Sequence, residues 1–285
     1  MLGLDPDPAR LWPSAAESAL GATVAAKAAD AVERHCCALI DSAGQSCVAI
    51  KPQLACFERL GSAGREALQS VVLHARAAGL IVLADGKRGD IDVSAASYCQ
   101  SLVGSTKTPY GSVDGLGADA FTVNPYLGTD SIDPYLAACR RHGAGIFCLV
   151  RTSNAGARDL QDAVLSNGEP VWRHVAGLVE GWGADLIGER GMSSVGAVVG
   201  ATVPRLIGDA RRAMPQQTIL LPGVGAQGAT PADVARAFTS GPASALVNAS
   251  RSVIFAYRDT EDDWRAAAGA EAARLSAEIW AAAGW

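Results

Sequence analysis

The stretch "LIVLADGKRGDID", residues 80–92, places five apolar residues directly before Asp85, Lys87, Arg88, Asp90 and Asp92, in a chain with only 19% charged residues. A short unbroken apolar run reads as a strand covered on both faces, as in a parallel sheet. The charges then gather where that strand ends, and a helical pattern follows. The same arrangement recurs along the chain. Candidate strands are "LGL" (2–4), "CVAI" (47–50), "LIVLA" (80–84), "AFTV" (120–123), "GIFCLV" (145–150), "VGAVVG" (195–200), "TILL" (218–221) and "ALVN" (245–248). Eight strands alternating with helices predict an α/β fold, a closed (β/α)8 TIM barrel, with catalytic groups at the C-terminal strand ends. At or just beyond those ends stand Asp5, Lys51, Asp85 with Lys87 and Asp90, Asn124, Ser153, Thr202, Gln227 and Arg251.

The 285 residues suit one such domain over 1–285, since barrels of ~250 residues commonly form a single unit. Helix ends are legible in places. Ser14-x-x-Glu17 predicts a capping box opening a helix to about Ser42, Thr230-Pro231-x-Asp233 a second helix start, and Gly79 a helix stop. Segments 104–117 and 154–170 are rich in turn formers and read as surface loops.

The net charge of −5 and pI near 5.4 argue against nucleic acid or an anionic membrane as partner, so an anionic ligand must be met by local cations. No basic leader precedes an apolar run and no ~18-residue apolar stretch occurs, which reads as a cytoplasmic protein. Seven scattered cysteines without a C-x-x-C pair read as buried free thiols, and four isolated histidines lack metal-site spacing.

If extended geometry persists past Ala84, Asp85 and Lys87 point the same way and can form a buried ion pair, with Asp90 where the chain turns. Two readings stand for "DGKRGD": a solvated turn, or one part of a site. Lys51 bears on the choice, because it ends the wholly apolar strand "CVAI". A Lys51–Asp85–Lys87–Asp90 array would alternate charges, each fixing its neighbour's protonation state. Gly223-x-Gly225-x-x-Gly228 matches a dinucleotide fingerprint, a phosphate cradle of the kind found after late barrel strands, or plain turn glycines. Asn248, not an acid, ends the next strand, which disfavours the dinucleotide, and Arg251 would add a cation to a phosphate cradle.

The motifs "GLDPDP" (3–8), "VAIKPQ" (48–53), "LADGKRGDI" (83–91), "TVNPYLG" (122–128), "RTSN" (151–154), "VVGAT" (198–202) and "PGVGAQG" (222–228) together resemble the orotidine 5'-phosphate decarboxylase family, in particular its longer bacterial branch. The resemblance implies a homodimer that converts orotidine 5'-monophosphate to UMP and carbon dioxide without metal or organic cofactor. It implies that Lys87 protonates the carbon losing carbon dioxide, that Asp85 lies against the departing carboxylate, and that Lys51 and Asp90 complete the charge network. Asp90, Ile91 and Ser94 would reach the partner subunit's site. Asp5 and Lys51 would bind ribose, Ser153 the pyrimidine, and Gln227 and Arg251 the phosphate, with Pro222 also among the substrate-binding residues.

Three departures from that pattern stand out. Met1 falls almost on the first strand, so the usual lead-in is absent; Gly86 replaces a common alanine, loosening the lysine's backbone; Ala155 replaces a common proline. Ser94 stands where threonine is frequent and keeps the hydroxyl. Three rivals remain: a magnesium-dependent sugar-phosphate decarboxylase or aldolase sharing D-x-K-x-x-D, which Lys51 in a metal-ligating glutamate's place disfavours; a nicotinamide oxidoreductase; and a silent phosphate-ligand binder.

Overall fold

The computed structural model describes residues 1–225, 228–259 and 263–285. Its strands are β1 Leu2–Leu4, β2 Ala49–Pro52, β3 Ile81–Arg88, β4 Ser105–Thr108, β5 Gly111–Asp114, β6 Ala120–Val123, β7 Gly145–Arg151, β8 Ser193–Val199, β9 Gln217–Pro222 and β10 Ala245–Asn248. One eight-stranded sheet has the order β1-β2-β3-β6-β7-β8-β9-β10, while β4 and β5 pair separately. That order is the one expected of a (β/α)8 barrel, and every predicted strand is present with its ends shifted by no more than four residues.

The chain divides into two compact units: Met1–Gly86 with Leu116–Ala118 and Ala249–Ala277, and Lys87–Gly115 with Asp119–Asn248 and Glu278–Trp285. In the first unit β1 pairs parallel to β2 (Leu2↔Ile50, Leu4↔Pro52) and β2 to β3 (Ala49↔Ile81). Within the same unit Ala249 O accepts from Gly3 N–H at 2.8 Å, and Ala249 bridges in parallel to Leu2 on β1. Gly79, at φ +76, stops the Gly61–Ala77 helix as expected, with Leu80 N–H reaching back to Ala75 O.

The capping box expected at Ser14 and Glu17 does not form. Trp12 is the N-cap of a five-residue helix, Pro13–Glu17, and makes no side-chain cap. The long helix begins instead at Val24, where Thr23 Oγ1 accepts from Ala26 N–H (3.1 Å). Burial of Trp12 accounts for the break: its indole N–H donates to Ile254 O (3.1 Å), its ring lies 3.6 Å from Trp264, and His35 packs edge-on at 4.7 Å. A local capping preference of about 1 kcal/mol cannot outweigh seating a whole indole.

His35 is 1% exposed and accepts from Trp12 N–H through Nδ1, and burial lowers its pKa to about 4. The folded state thus prefers the neutral ring. Its contribution is complete above the unfolded-state pKa near 6.5 and fades as pH falls from there toward 4. Denaturation at pH 7 and pH 4 should differ by about 3 kcal/mol more in the wild type than in His35→Phe. Equal pH dependence in the two proteins would contradict this.

In the second unit β6 to β10 pair in parallel, with shifts of register along β7/β8 and β8/β9. All four residues of β6 are buried, as the unbroken apolar pattern requires. Arg211 is 4% exposed here. It donates to the carbonyls of Met214, Pro215, Gln217, Ala237 and Ser244 at 2.7–3.2 Å, so backbone oxygens alone solvate its charge. Burial lowers its pKa to about 10, and it remains a cation at neutral pH.

The segment 104–117 is not a plain loop. Thr108↔Gly111 closes the β4–β5 hairpin, with Pro109 and Tyr110 at its tip and Gly111 at φ +129. Its β-branched residues lacked apolar alternation because seven of its eight strand residues are exposed. The 154–170 segment similarly holds a short helix, Ala157–Leu160. All seven cysteines are free: Cys36, Cys99, Cys139 and Cys148 are buried as expected, while Cys37, Cys47 and Cys56 are only half-buried. Among the described residues no helix is long and apolar enough to cross a membrane, and no three His, Cys, Asp or Glu side chains gather to hold a metal ion.

Candidate functional site

In the first unit three of the sequence-assigned residues converge. Lys51 on β2 and Asp85 on β3 are 4% and 6% exposed, and Lys51 Nζ lies 2.6 Å from Asp85 Oδ2. Asp5 Oδ1, just past β1, lies 3.9 Å from the same ammonium and is more open to solvent. Gln53, to which the sequence assigned no role, donates from Nε2 to Asp85 Oδ2 (3.3 Å), and its backbone bridges to Asp85. An ion pair so poor in water is costly to form, so excellent geometry and added hydrogen bonds are what hold it. Its partners come from neighbouring strand ends, the end of a barrel at which active sites form.

Arg251 also belongs to this unit. It opens the short helix Arg251–Ile254 and is exposed. On either side, Ser250 Oγ and Ser252 Oγ are buried with no hydrogen-bond partner among the described residues. Buried hydroxyls without partners are uncommon and ask for a ligand or water.

At the start of the second unit β3 continues through Lys87 to Arg88, but its backbone is kinked there. Lys87 has φ +47, a left-handed conformation rare outside glycine, and its side chain is exposed rather than buried. Its N–H donates to Thr122 Oγ1 (2.8 Å), on buried β6, and Asn124 N–H donates to Arg88 O (2.7 Å). The kink is therefore held from β6, and Thr122 is a second residue that the sequence reading quoted without assigning a role. Asp90 Oδ1 accepts from Ile91 N–H (2.9 Å), where Ile91 is the N-cap of the helix Asp92–Leu102. Ile91 and Ser94 are both exposed, Ile91 at 46%.

Ser153 lies just beyond β7 and is half-buried. A methyl group at Gly200 would come within 2.8 Å of Ser153 N, Cα and Cβ, so glycine allows β8 to approach that residue closely. Pro222 ends β9, and Gly223, Gly225 and Gly228 all have positive φ, the backbone that the glycine motif requires. Gln227 lies outside the described residues.

The model of the "Orotidine 5'-phosphate decarboxylase / HUMPS family" matches residues 2–267. The chain belongs to this family. An orotidine 5'-phosphate decarboxylase of Rhodopirellula baltica is 43% identical over 236 residues, 82% of this chain and 76% of that protein. A solved structure of a putative orotidine 5'-phosphate decarboxylase from Streptomyces avermitilis is 34% identical with a TM-score of 0.77, covering all of this chain and 90% of the other. Leishmania donovani UMP synthase is 30% identical with a TM-score of 0.72; 98% of this chain is covered but only 53% of that one, so the chain spans about half its length. Family membership, the strand order and these neighbours agree on a (β/α)8 barrel.

Proposed function

We propose that this chain, as one barrel domain, decarboxylates orotidine 5'-monophosphate to UMP and carbon dioxide without metal or organic cofactor. The observation that carries the reading is the buried Lys51–Asp85 pair at adjoining strand ends. The family model spans two activities, and an ammonium in that position repels a metal ion, which favours the decarboxylase over a magnesium-dependent relative.

Loss of the carboxylate leaves an electron pair in the plane of the pyrimidine, where the π system cannot delocalise it. Fixed positive charge must stabilise it. Lys87 supplies that charge and then the proton, Asp85 crowds the departing carboxylate, and Lys51 and Asp90 hold the array in its charged form. Asp5 and Lys51 take the ribose and Ser153 the base. Pro222, Gln227 and Arg251 take the phosphate end, where the unpartnered hydroxyls of Ser250 and Ser252 support an oxygen-rich ligand. Binding energy from the phosphate supplies much of the remaining acceleration.

The deciding experiment follows the absorbance of orotidine 5'-monophosphate with purified protein in EDTA. Sustained turnover is expected; turnover only with added magnesium would overturn the metal-free mechanism, and none under either condition would sink the reading.

We also infer a homodimer in which Asp90, Ile91 and Ser94 reach the neighbouring site. Mixing inactive Lys87→Ala with inactive Asp90→Ala protein should then regain up to about a quarter of wild-type activity, as one site in four of the random mixture is intact. No recovery after demonstrated subunit exchange would return Asp90 to its own subunit's site.

A further inference from the structure

The loop that leaves β7 carries a polar clip that the proposed chemistry does not use directly. Gln161 Oε1 accepts from Thr152 N–H (2.8 Å), and Gln161 Nε2 donates to Thr152 Oγ1 (2.9 Å). The Thr152 hydroxyl in turn donates to Asn154 Oδ1 (2.6 Å). Arg151, 5% exposed, forks onto Asp162 at 2.8 and 2.9 Å and donates to Thr152 O. That hydrogen bond holds the Asp162 carboxyl below its ordinary pKa, so the fork persists at neutral pH.

Ser153 lies between the clipped residues. Thr152 is gripped at its N–H, hydroxyl and carbonyl, Asn154 at its amide oxygen, and the backbone of Gly200, just past β8, runs close against Ser153 itself. Gly200 N–H also donates to Arg151 O (2.7 Å). So many constraints on one tripeptide exceed what a surface loop needs to stay folded. They hold in place the backbone that carries the Ser153 hydroxyl.

We propose that Gln161, with the Arg151–Asp162 fork behind it, is a positioning residue that aims Ser153 at the substrate's base and so sets recognition of the pyrimidine. The inference rests on the reading of Ser153 as the base contact. It assigns Gln161 no contact with substrate.

Two variants separate positioning from simple stability. Gln161→Met keeps the side chain's length but removes both hydrogen bonds, whereas Gln161→Glu keeps an acceptor for Thr152 N–H. UMP and ribose 5-phosphate are the probes, the second lacking a base.

Gln161→Met should weaken UMP binding and raise the KM for orotidine 5'-monophosphate about tenfold, the equivalent of one lost hydrogen bond. Ribose 5-phosphate binding should stay within about twofold of wild type, and Gln161→Glu should recover most of the loss. Combining Gln161→Met with Ser153→Ala should be no worse than Ser153→Ala alone.

Equal weakening of both probes, additive effects in the double variant, or unchanged UMP binding by Gln161→Met would each overturn the proposal. Wild-type protein that binds neither probe and turns nothing over would overturn the parent reading, and this inference with it.

Discussion

Lys87→Ala is expected to lower kcat by about 100,000-fold or more while leaving UMP binding within a few-fold of wild type. An ammonium ~4 Å from the developing carbanion contributes about 4 kcal/mol at an effective dielectric of 20, close to three orders of magnitude in rate. Loss of the proton donor adds a further factor of about 100 to 10,000. Binding should persist because Asp5, Lys51 and Arg251, the residues proposed to meet ribose and phosphate, all stand in the first unit with an intact Lys51–Asp85 pair between strands. Single-turnover kinetics with nucleotide titration measure both quantities. A kcat within tenfold of wild type would remove Lys87 from the chemistry.

The second large effect is one of stability. Arg211→Met should destabilise the protein by about 3–5 kcal/mol, because five carbonyls that now share one guanidinium lose their donor together in a place water reaches poorly. Those carbonyls stand just before β9 (Met214, Pro215), on β9 (Gln217) and on the approach to β10 (Ala237, Ser244), so the loss spreads across two strand entries. Methionine fills much of the volume, which confines the change to charge and hydrogen bonding. Urea denaturation at pH 7 tests it, and a shift below about 1 kcal/mol would show that the carbonyls find other donors.

The two effects sit differently with respect to what the sequence could reveal. All eight barrel strands were legible because parallel strands covered on both faces are written as short unbroken apolar runs. Lys51 was legible because a charge ending such a run is conspicuous. Arg211 was not: it sits in the helix Pro204–Ala213 beside Arg212, and contacts with Ala237 and Ser244, 26 and 33 positions on, are what distinguish it from an ordinary surface arginine. The Gln161 clip and the Thr122 hydrogen bond were hidden for the same reason, since each joins residues from separate segments with no periodic signature. The Ser14 box failed in the opposite sense. Its local signal was present but was overruled by the packing of Trp12 against Trp264.

The left-handed backbone at Lys87 leaves a mark on how the protein can change. Holding a lysine at φ +47 costs roughly 1–2 kcal/mol that glycine at the same place would avoid. Selection for heat resistance alone would therefore drift toward glycine at that position and, on the proposed role of Lys87, arrive at a sturdier, inert barrel. If Lys87 is the proposed proton donor, retention of a long cationic side chain there sets robustness and turnover as opposing demands on one residue.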